Sequence, residues 1–294
     1  MGDPIGDVPR GYVVHRVADT WLVLDAAHAP RLVQLRLADP AERQALFARA
    51  PLRGRGRVPS VPLGPDTALV LRRYRHGGLL GPLTRGLFLG PGRALAELRV
   101  TAAAEAVSAP VPHVLCVVVW PVIGPFWSAL IGTREIPDAA DLAVALGQAP
   151  AARDCIALAR RAGHAVGRLH AAGIQHRDLQ LRNIMVGRGA TPGLVVIDLD
   201  RAVSHAAGLL PEQRAQNLGR LARSVVKCGL WGERVGPRAL AAFVSAYLAG
   251  DRALRGQLRR RLGREQTKLA LHRMTYRFRR LATAERAASP LRSA

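Results

Sequence analysis

Lysine is almost absent from this sequence, although the chain is strongly basic. Of its 43 Lys and Arg residues, Lys227 and Lys268 are the two lysines, and 21 Asp and Glu leave a formal net charge of +22. A surplus of this size predicts an anionic partner, such as nucleic acid, an anionic membrane surface or a phosphorylated substrate. Upstream of Lys227, any site that needs a permanent cation must use arginine.

Cysteine is also scarce. Cys116, Cys155 and Cys228 are odd in number, far apart and not arranged as C-x-x-C, which argues against a zinc site or a disulfide framework. A reducing cytoplasm fits this usage best. The first residues, "MGDPIGDVPRGY", lack a basic segment followed by an apolar core, so no signal peptide is expected.

One hydrophobic run, residues 111–132, has the length of a membrane span. It is interrupted by Pro112, Pro121, Gly124 and Pro125, and its run of valines favours extended structure. We therefore predict two buried strands joined by a turn at "WPVIGPFW".

The order of predicted elements is a β-rich half followed by a helical half. Alternating runs predict a strand pair in "GYVVHRV" and "TWLVLDA" and a strand at 67–74, and helices are expected in "DPAERQALFARA" and at 91–107. Three further helices are predicted in "ARDCIALARRAGHAVGRLHAAG", "EQRAQNLGRLARSVVKCG" and "PRALAAFVSAYLAG". The prediction is an α+β, two-lobed protein, with a β-rich lobe at 1–134 and a helical lobe at 135–294.

The segment 169–202, "LHAAGIQHRDLQLRNIMVGRGATPGLVVIDLDRA", concentrates polar residues between apolar runs. One interpretation is a hairpin with polar turns. The other is a phosphoryl-transfer site, because "HRDLQLRN" matches H-R-D-L-x-x-x-N without a gap. In that site Asp178 would accept or orient the proton of the acceptor hydroxyl, while Asn183 and the strand-terminal Asp198 would bind Mg²⁺ through oxygen. His176 is expected to brace the loop, and Asp200 either assists with metal or caps the following turn.

The motifs "HRDLQLRNIMV" and "VVIDLDRA" resemble those of the protein-kinase-like fold. Within it, the sequence most resembles the lipopolysaccharide kinases, especially the Kdo kinases, through "GRGR" at 54–57, "VLRRYRHGGLLG" at 70–81 and "NLGRLARSVVK" at 217–227. The resemblance covers roughly residues 45–230. It implies an ATP- and Mg²⁺-dependent kinase with a β-rich N-lobe and a helical C-lobe. The acceptor would be a sugar hydroxyl of the lipopolysaccharide inner core, at the cytoplasmic face of the inner membrane.

The resemblance also implies roles for residues of the ATP site. Gly54 and Gly56 lie in the expected phosphate loop, at about 52–58, where glycine lets backbone N–H groups approach phosphate. Arg72 would replace the usual third-strand lysine, with Glu97 as its partner. Glu135 would lie in the connector whose backbone binds adenine.

The expected acceptor contacts are Arg75, His76, Gly77 and Gly78. His76 stands where the family usually has arginine, which leaves the acceptor open: a sugar or glycolipid, a protein Ser/Thr or a small molecule. A catalytically silent scaffold is the remaining alternative, because the usual lysine is missing. The basic segment 252–280 is expected to dock as a helix and offers a surface for an anionic membrane, whereas no specific nucleic-acid partner is expected.

Overall fold

A computed structural model describes residues 4–53, 56–74, 86–187 and 193–261 of the 294-residue chain. Its contacts divide the chain into two units. Unit 1 comprises residues 1–138 together with 197–202, and unit 2 comprises residues 139–196 and 203–294. The sequence-based division ended the first lobe at residue 134 and did not anticipate that the short segment 197–202 groups with unit 1.

Unit 1 is built on a seven-stranded antiparallel sheet, ordered β1-β2-β8-β9-β6-β5 with β7 beside β9. Its strands are β1 (Tyr12–Val17), β2 (Thr20–Asp25), β5 (Ser60–Gly64), β6 (Thr67–Arg73), β7 (Phe88–Leu89), β8 (Val114–Ile123) and β9 (Phe126–Arg134). A separate short hairpin joins β3 (Leu52–Arg53) to β4 (Gly56–Arg57). The helices are α1 (Ala29–Gln34), α2 (Pro40–Arg49) and α3 (Gly92–Ala106).

The sheet of unit 1 is covered on both faces. One core contains Leu32 and Phe47 from the helices α1 and α2, and the other contains Leu95 and Leu98 from α3. Successive valines of β8 alternate between these two cores. This explains why the hydrophobic run of β8 is continuous, since a strand buried on both faces needs no polar side.

The prediction that residues 111–132 form two strands and a turn is confirmed, because β8 and β9 pair as an antiparallel hairpin. The predicted β1–β2 hairpin and the predicted helices in 40–49 and 92–106 are also present. Across the described part of the chain, no helix combines the length and the apolar character that a membrane crossing requires.

Unit 2 is mostly helical. Its helices are α4 (Leu142–Gln148), α5 (Ala152–Ala171), α6 (Pro211–Lys227) and α7 (Pro237–Leu248), and residues 252–261 are also helical. Its short strands are β10 (Ala140–Asp141), β11 (Ile174–Gln175), β12 (Ile184–Val186), β13 (Leu194–Val196) and β14 (Val203–Ser204), which form the sheets β10-β12-β13 and β11-β14.

Helices α5 and α7 approach closely at Gly163. A Cβ atom at this position would lie 2.3 Å from the carbonyl oxygen of Phe243 on α7. No side chain larger than hydrogen fits this contact without a shift of the backbone. The close contact fixes α5, which ends at Ala171, a few residues before the loop that begins at His176.

Candidate active site

The loop that carries Asp178 is held in unit 2 by alternating buried side chains. It leaves α5 through Gly173, whose φ of +75° is a backbone conformation that glycine adopts without strain. Leu179 and Leu181 are buried, whereas Asp178 is exposed. The apolar side chains anchor the loop, and the carboxylate between them remains accessible.

His176 is fully buried and holds the same loop from inside. Its backbone N–H donates to the side-chain oxygen of Asn217 on α6 (3.0 Å), and its ring Nδ1 accepts from the backbone N–H of Asp178 (3.2 Å). The ring nitrogen must carry a lone pair toward Asp178, which fixes the tautomer. This geometry supports a bracing role for His176. Asn217 holds His176 in turn, by accepting its backbone N–H.

Asn183 is tied to the backbone of Asp178. Its amide NH₂ donates to the Asp178 carbonyl oxygen at 2.9 Å, which turns the amide oxygen away from that bond. Gln180 donates to the Asp178 carboxylate at 3.0 Å. One short segment, with a 3₁₀ turn at Leu181–Asn183, therefore sets the positions of both polar groups.

In unit 1, Arg72 on β6 binds Glu97 on α3. One terminal guanidinium nitrogen of Arg72 lies 2.7 and 2.9 Å from the two carboxylate oxygens of Glu97. Glu97 is buried, and it also accepts a hydrogen bond from the hydroxyl of Tyr74. Arg72 thus makes the ion pair with a helix glutamate that the missing lysine would make.

The pKa values in this cluster reflect burial and charge together. Burial raises the pKa of the Glu97 carboxyl, and the Arg72 guanidinium opposes that shift. Burial tends to lower the pKa of Arg72, but the Glu97 and Asp198 carboxylates outweigh it, so the net shift is upward. Burial and the Glu97 charge raise the pKa of Tyr74 well above its usual value. Arg72 stays charged, and Tyr74 stays a hydrogen-bond donor.

Asp198 lies beside the other end of the Arg72 guanidinium, with Nη1 of Arg72 3.0 Å from Oδ1. The backbone of Asp198 has a φ of +64°, which is uncommon for a residue with a side chain. The carboxylate as a whole is 38 % exposed, but Oδ1 is buried and has no hydrogen bond of acceptable geometry within the described residues. We regard the Arg72 contact as ionic and the oxygen as having unused acceptor capacity.

Asp200 is engaged by a different arginine. Nε of Arg93 on α3 lies 2.7 Å from Oδ1 of Asp200, and Nη2 of Arg93 contacts the second oxygen. The hydrogen bonds to Asp200 and its charge raise the pKa of Arg93 despite partial burial. Both oxygens of Asp200 are therefore occupied by a forked contact that anchors the segment 197–202 to α3.

Each unit contains one of the two residues expected to bind magnesium. In unit 1, Asp198 has a buried carboxylate oxygen without a hydrogen bond in the described part of the chain. In unit 2, the amide oxygen of Asn183 is not used in its bond to Asp178. Magnesium prefers such hard oxygen ligands and takes the others from phosphate and water. Within the part of the chain that the structure describes, no group of three or more His, Cys, Asp or Glu could hold a metal.

The remaining predicted site residues are placed as follows. Gly56 pairs with Arg53 in the short β3–β4 hairpin, whereas Gly54 lies outside the described residues, as do Arg75, His76, Gly77 and Gly78. The backbone N–H of Glu135 donates to the Ala68 carbonyl at 2.8 Å, and its carboxylate accepts from Ser60 at 2.6 Å. The N–H and the side chain of Glu135 are thus both engaged within unit 1.

Sequence reasoning missed three residues that hold these groups: Tyr74, Arg93 and Asn217. Two of them carried a signal. Tyr74 lies two residues after Arg72 on a strand, and so on the same face. Arg93 precedes Glu97 by four residues on a helix, which also places both on one face. Asn217 stands in a segment already noted for its resemblance, but nothing local indicates that it reaches His176.

Comparisons with known proteins agree with this geometry. The model of the lipopolysaccharide kinase (Kdo/WaaP) family matches residues 49–247. A 3-deoxy-D-manno-octulosonic acid kinase from Xanthomonas campestris pv. campestris (strain B100) is 31% identical over 164 residues, 54% of this chain and 61% of that protein. One from Vibrio parahaemolyticus is 31% identical over 180 residues, 59% of this chain and 71% of that protein.

The fold also has a solved counterpart. The structure of WaaP in complex with acyl carrier protein covers 83% of this chain and 98% of its own, with a TM-score of 0.52 and 19% identity. This likeness confirms the predicted kinase-like α+β fold. Since the family model covers more than half of the sequence, the chain belongs to the lipopolysaccharide kinase (Kdo/WaaP) family.

Proposed function

We propose that this protein transfers the γ-phosphoryl group of ATP to a sugar hydroxyl of lipopolysaccharide, with Kdo of the inner core as the acceptor. The acceptor oxygen would attack the γ-phosphorus, the bond to the ADP oxygen would break, and Asp178 would take the hydroxyl proton. Mg²⁺ bound by Asn183 and Asp198 would neutralise phosphate charge. Arg72 would bind phosphate oxygens through a guanidinium nitrogen and so supply the charge of the usual lysine.

The observation that carries this proposal is the contact of Arg72 with Glu97 and Asp198. The missing lysine motivated the alternative of a silent scaffold. An arginine that pairs with the helix glutamate and also reaches the metal-ligand aspartate supplies the function for which lysine would be needed. A scaffold has no need of this arrangement, nor of an accessible carboxylate at Asp178.

We propose the identity of the acceptor, and a further partner of this protein, from the similar proteins. The matched part of the chain spans 61% of the length of the Xanthomonas kinase, whose name specifies the sugar. With such an acceptor, the enzyme would act in the cytoplasm, at the inner face of the membrane. Acyl carrier protein is a further partner to test, because the solved WaaP structure contains it.

The decisive experiment follows labelled γ-phosphate from Mg-ATP into Kdo-containing lipid A, with a generic protein acceptor in parallel. Label on the lipid with the unmodified protein, and none with Asp178→Asn, is the expected result. Circular dichroism and nucleotide binding serve as controls, since an exposed Asp→Asn change should leave both nearly unaltered. Label on protein alone would refute the sugar acceptor, and full turnover by Asp178→Asn would refute the assigned base.

A further inference from the structure

Four large apolar side chains are exposed together at one end of the sheet of unit 1. Leu89 on β7, Val122 and Ile123 on β8, and Phe126 on β9 are 76, 50, 68 and 40 % exposed. They are neighbours, because Phe126 pairs with both Leu89 and Ile123. We refer to these four residues as the apolar tip.

The strands that form the apolar tip carry no charge near it. Neither residues 114–128 nor residues 86–92 contain an Asp, Glu, Lys or Arg. The Gly124–Pro125 turn between β8 and β9 is exposed as well. A contiguous uncharged surface at the end of a hairpin is unusual for a chain that stays in water and indicates a surface with an apolar partner.

Three of the four tryptophans lie just inside the apolar tip. Trp127 pairs with Pro121 and with Phe88 next to the tip, and its ring centre is 5.3 Å from that of Trp21. Trp120 packs against the core on the opposite face of the sheet. All three are partly exposed. The sheet therefore carries tryptophans on both faces, a few residues from its apolar end. We refer to Trp21, Trp120 and Trp127 as the collar.

An arginine stacks on a collar tryptophan on each face, the exposed Arg16 on one and the buried Arg43 on the other. The guanidinium carbon of Arg16 lies 4.7 Å from the ring centre of Trp21, and that of Arg43 lies 4.1 Å from Trp120. Asp19 is the acid on the turn after β1, and it pairs with Arg16 at 3.7 Å. Along the strands the apolar side chains come first and the indoles follow, with the exposed Arg16 level with Trp21. A bilayer presents acyl chains and then its interface in the same order.

We propose that the apolar tip inserts into the interfacial layer of an anionic bilayer, with the three tryptophans at headgroup depth. A second copy of this chain fits the surface less well, because each copy carries a formal net charge of +22 and the two would repel. An anionic lipid surface complements that charge. The proposal assigns membrane contact to a described surface of unit 1 and not to the basic segment after residue 252, and it does not depend on phosphoryl transfer.

The test compares two matched double variants of the full chain by cosedimentation with vesicles of phosphatidylethanolamine and phosphatidylglycerol. Ile123→Ser with Phe126→Ser removes the apolar side chains of the tip, and Leu240→Ser with Val244→Ser removes similarly exposed ones from α7. The tip variant should bind about 30-fold more weakly than the unmodified protein, and the α7 variant should bind equally well. Vesicles of phosphatidylcholine should bind all three proteins more weakly.

A second measurement locates the tip itself. In a Trp231→Phe background, the remaining fluorescence comes from the three collar tryptophans, and lipids brominated near the top of the acyl chain should quench it. Equal binding by the tip variant, or binding without quenching, would overturn the proposal and assign the contact elsewhere. Absence of vesicle binding would overturn it as well. A wild-type dimer that the tip substitutions convert to a monomer would show that the occupant is a second copy.

Discussion

Replacing Asp200 by asparagine is expected to weaken the fold more than it weakens metal binding. Asp200 and Arg93 form a forked ion pair, and their side chains are 14 and 25 % exposed. Removal of one partner from a buried pair costs about 3–5 kcal/mol, because the other charge is left without its counterion. Partial solvent access reduces this figure, so we expect a loss of about 2–3 kcal/mol in the free energy of unfolding.

The assay combines urea unfolding with Mg²⁺-dependent binding of ATP. Asp200→Asn should lower the unfolding midpoint and leave the Mg²⁺ dependence close to that of the unmodified protein. Asp198→Asn is the comparator: it should weaken the Mg²⁺ dependence and lower the unfolding midpoint less than Asp200→Asn does, because its ion pair with Arg72 is more exposed to water than the Arg93–Asp200 pair. Arg93→Met should reproduce the loss seen with Asp200→Asn.

Two results would refute this reasoning. The first is an Asp200→Asn variant of unchanged stability whose Mg²⁺ affinity falls about tenfold, which would make Asp200 a metal ligand. The second is strict additivity of Arg93→Met and Asp200→Asn, because residues in one ion pair should show a coupling energy of roughly 0.5–3 kcal/mol.

Three other perturbations have definite expected outcomes. Arg72→Lys should lower kcat/KM for ATP by about tenfold, because one ammonium cannot reproduce the separate guanidinium contacts with Glu97 and Asp198. Steady-state kinetics measure this change, and unchanged kinetics would contradict the role of Arg72. Gly163→Ala should lower the free energy of unfolding by about 2 kcal/mol, as measured in urea, since its Cβ would meet the Phe243 carbonyl. Burial and the nearby Arg214 charge lower the pKa of His170 to about 3, so the unfolded chain, with a pKa of about 6.5, binds that proton more tightly. Stability should therefore fall as the pH drops below about 6.5 toward 3, and His170→Gln should flatten this dependence while the exposed His164→Gln should not.

The elements that sequence alone could predict are those whose pattern is local. The β8–β9 hairpin follows from a valine-rich run with a Gly-Pro turn, and α5 follows from apolar residues at helical spacing with a glycine after its end. The short helix α1 was not predicted, since its six residues carry little periodicity and Leu32 is held by packing against the sheet. A helix of that length has no stability of its own.

The candidate site divides in the same way. Asp178 and Asn183 both lie within the eight residues of "HRDLQLRN", so this local motif indicates both. The contact between Arg93 and Asp200 joins positions 107 residues apart, and no local pattern specifies which of many arginines reaches which acid. In a chain with 43 basic residues, charge alone cannot select a partner, and only the packing of α3 on the sheet does so.

Arginine at position 72 also explains how Glu97 and Asp198 can both lie close to one cation. A lysine presents one compact charge, whereas the guanidinium of Arg72 presents Nη2 to Glu97 and Nη1 to Asp198. The buried Glu97 would otherwise be an uncompensated charge, and Tyr74 supplies its other hydrogen bond. Because Arg93 neutralises Asp200 separately, Asp198 is left as the carboxylate with unused acceptor capacity among these acids. Of the two aspartates of "IDLDRA", Asp200 is therefore committed to the fold, and Asp198 is the one that we propose as the metal ligand.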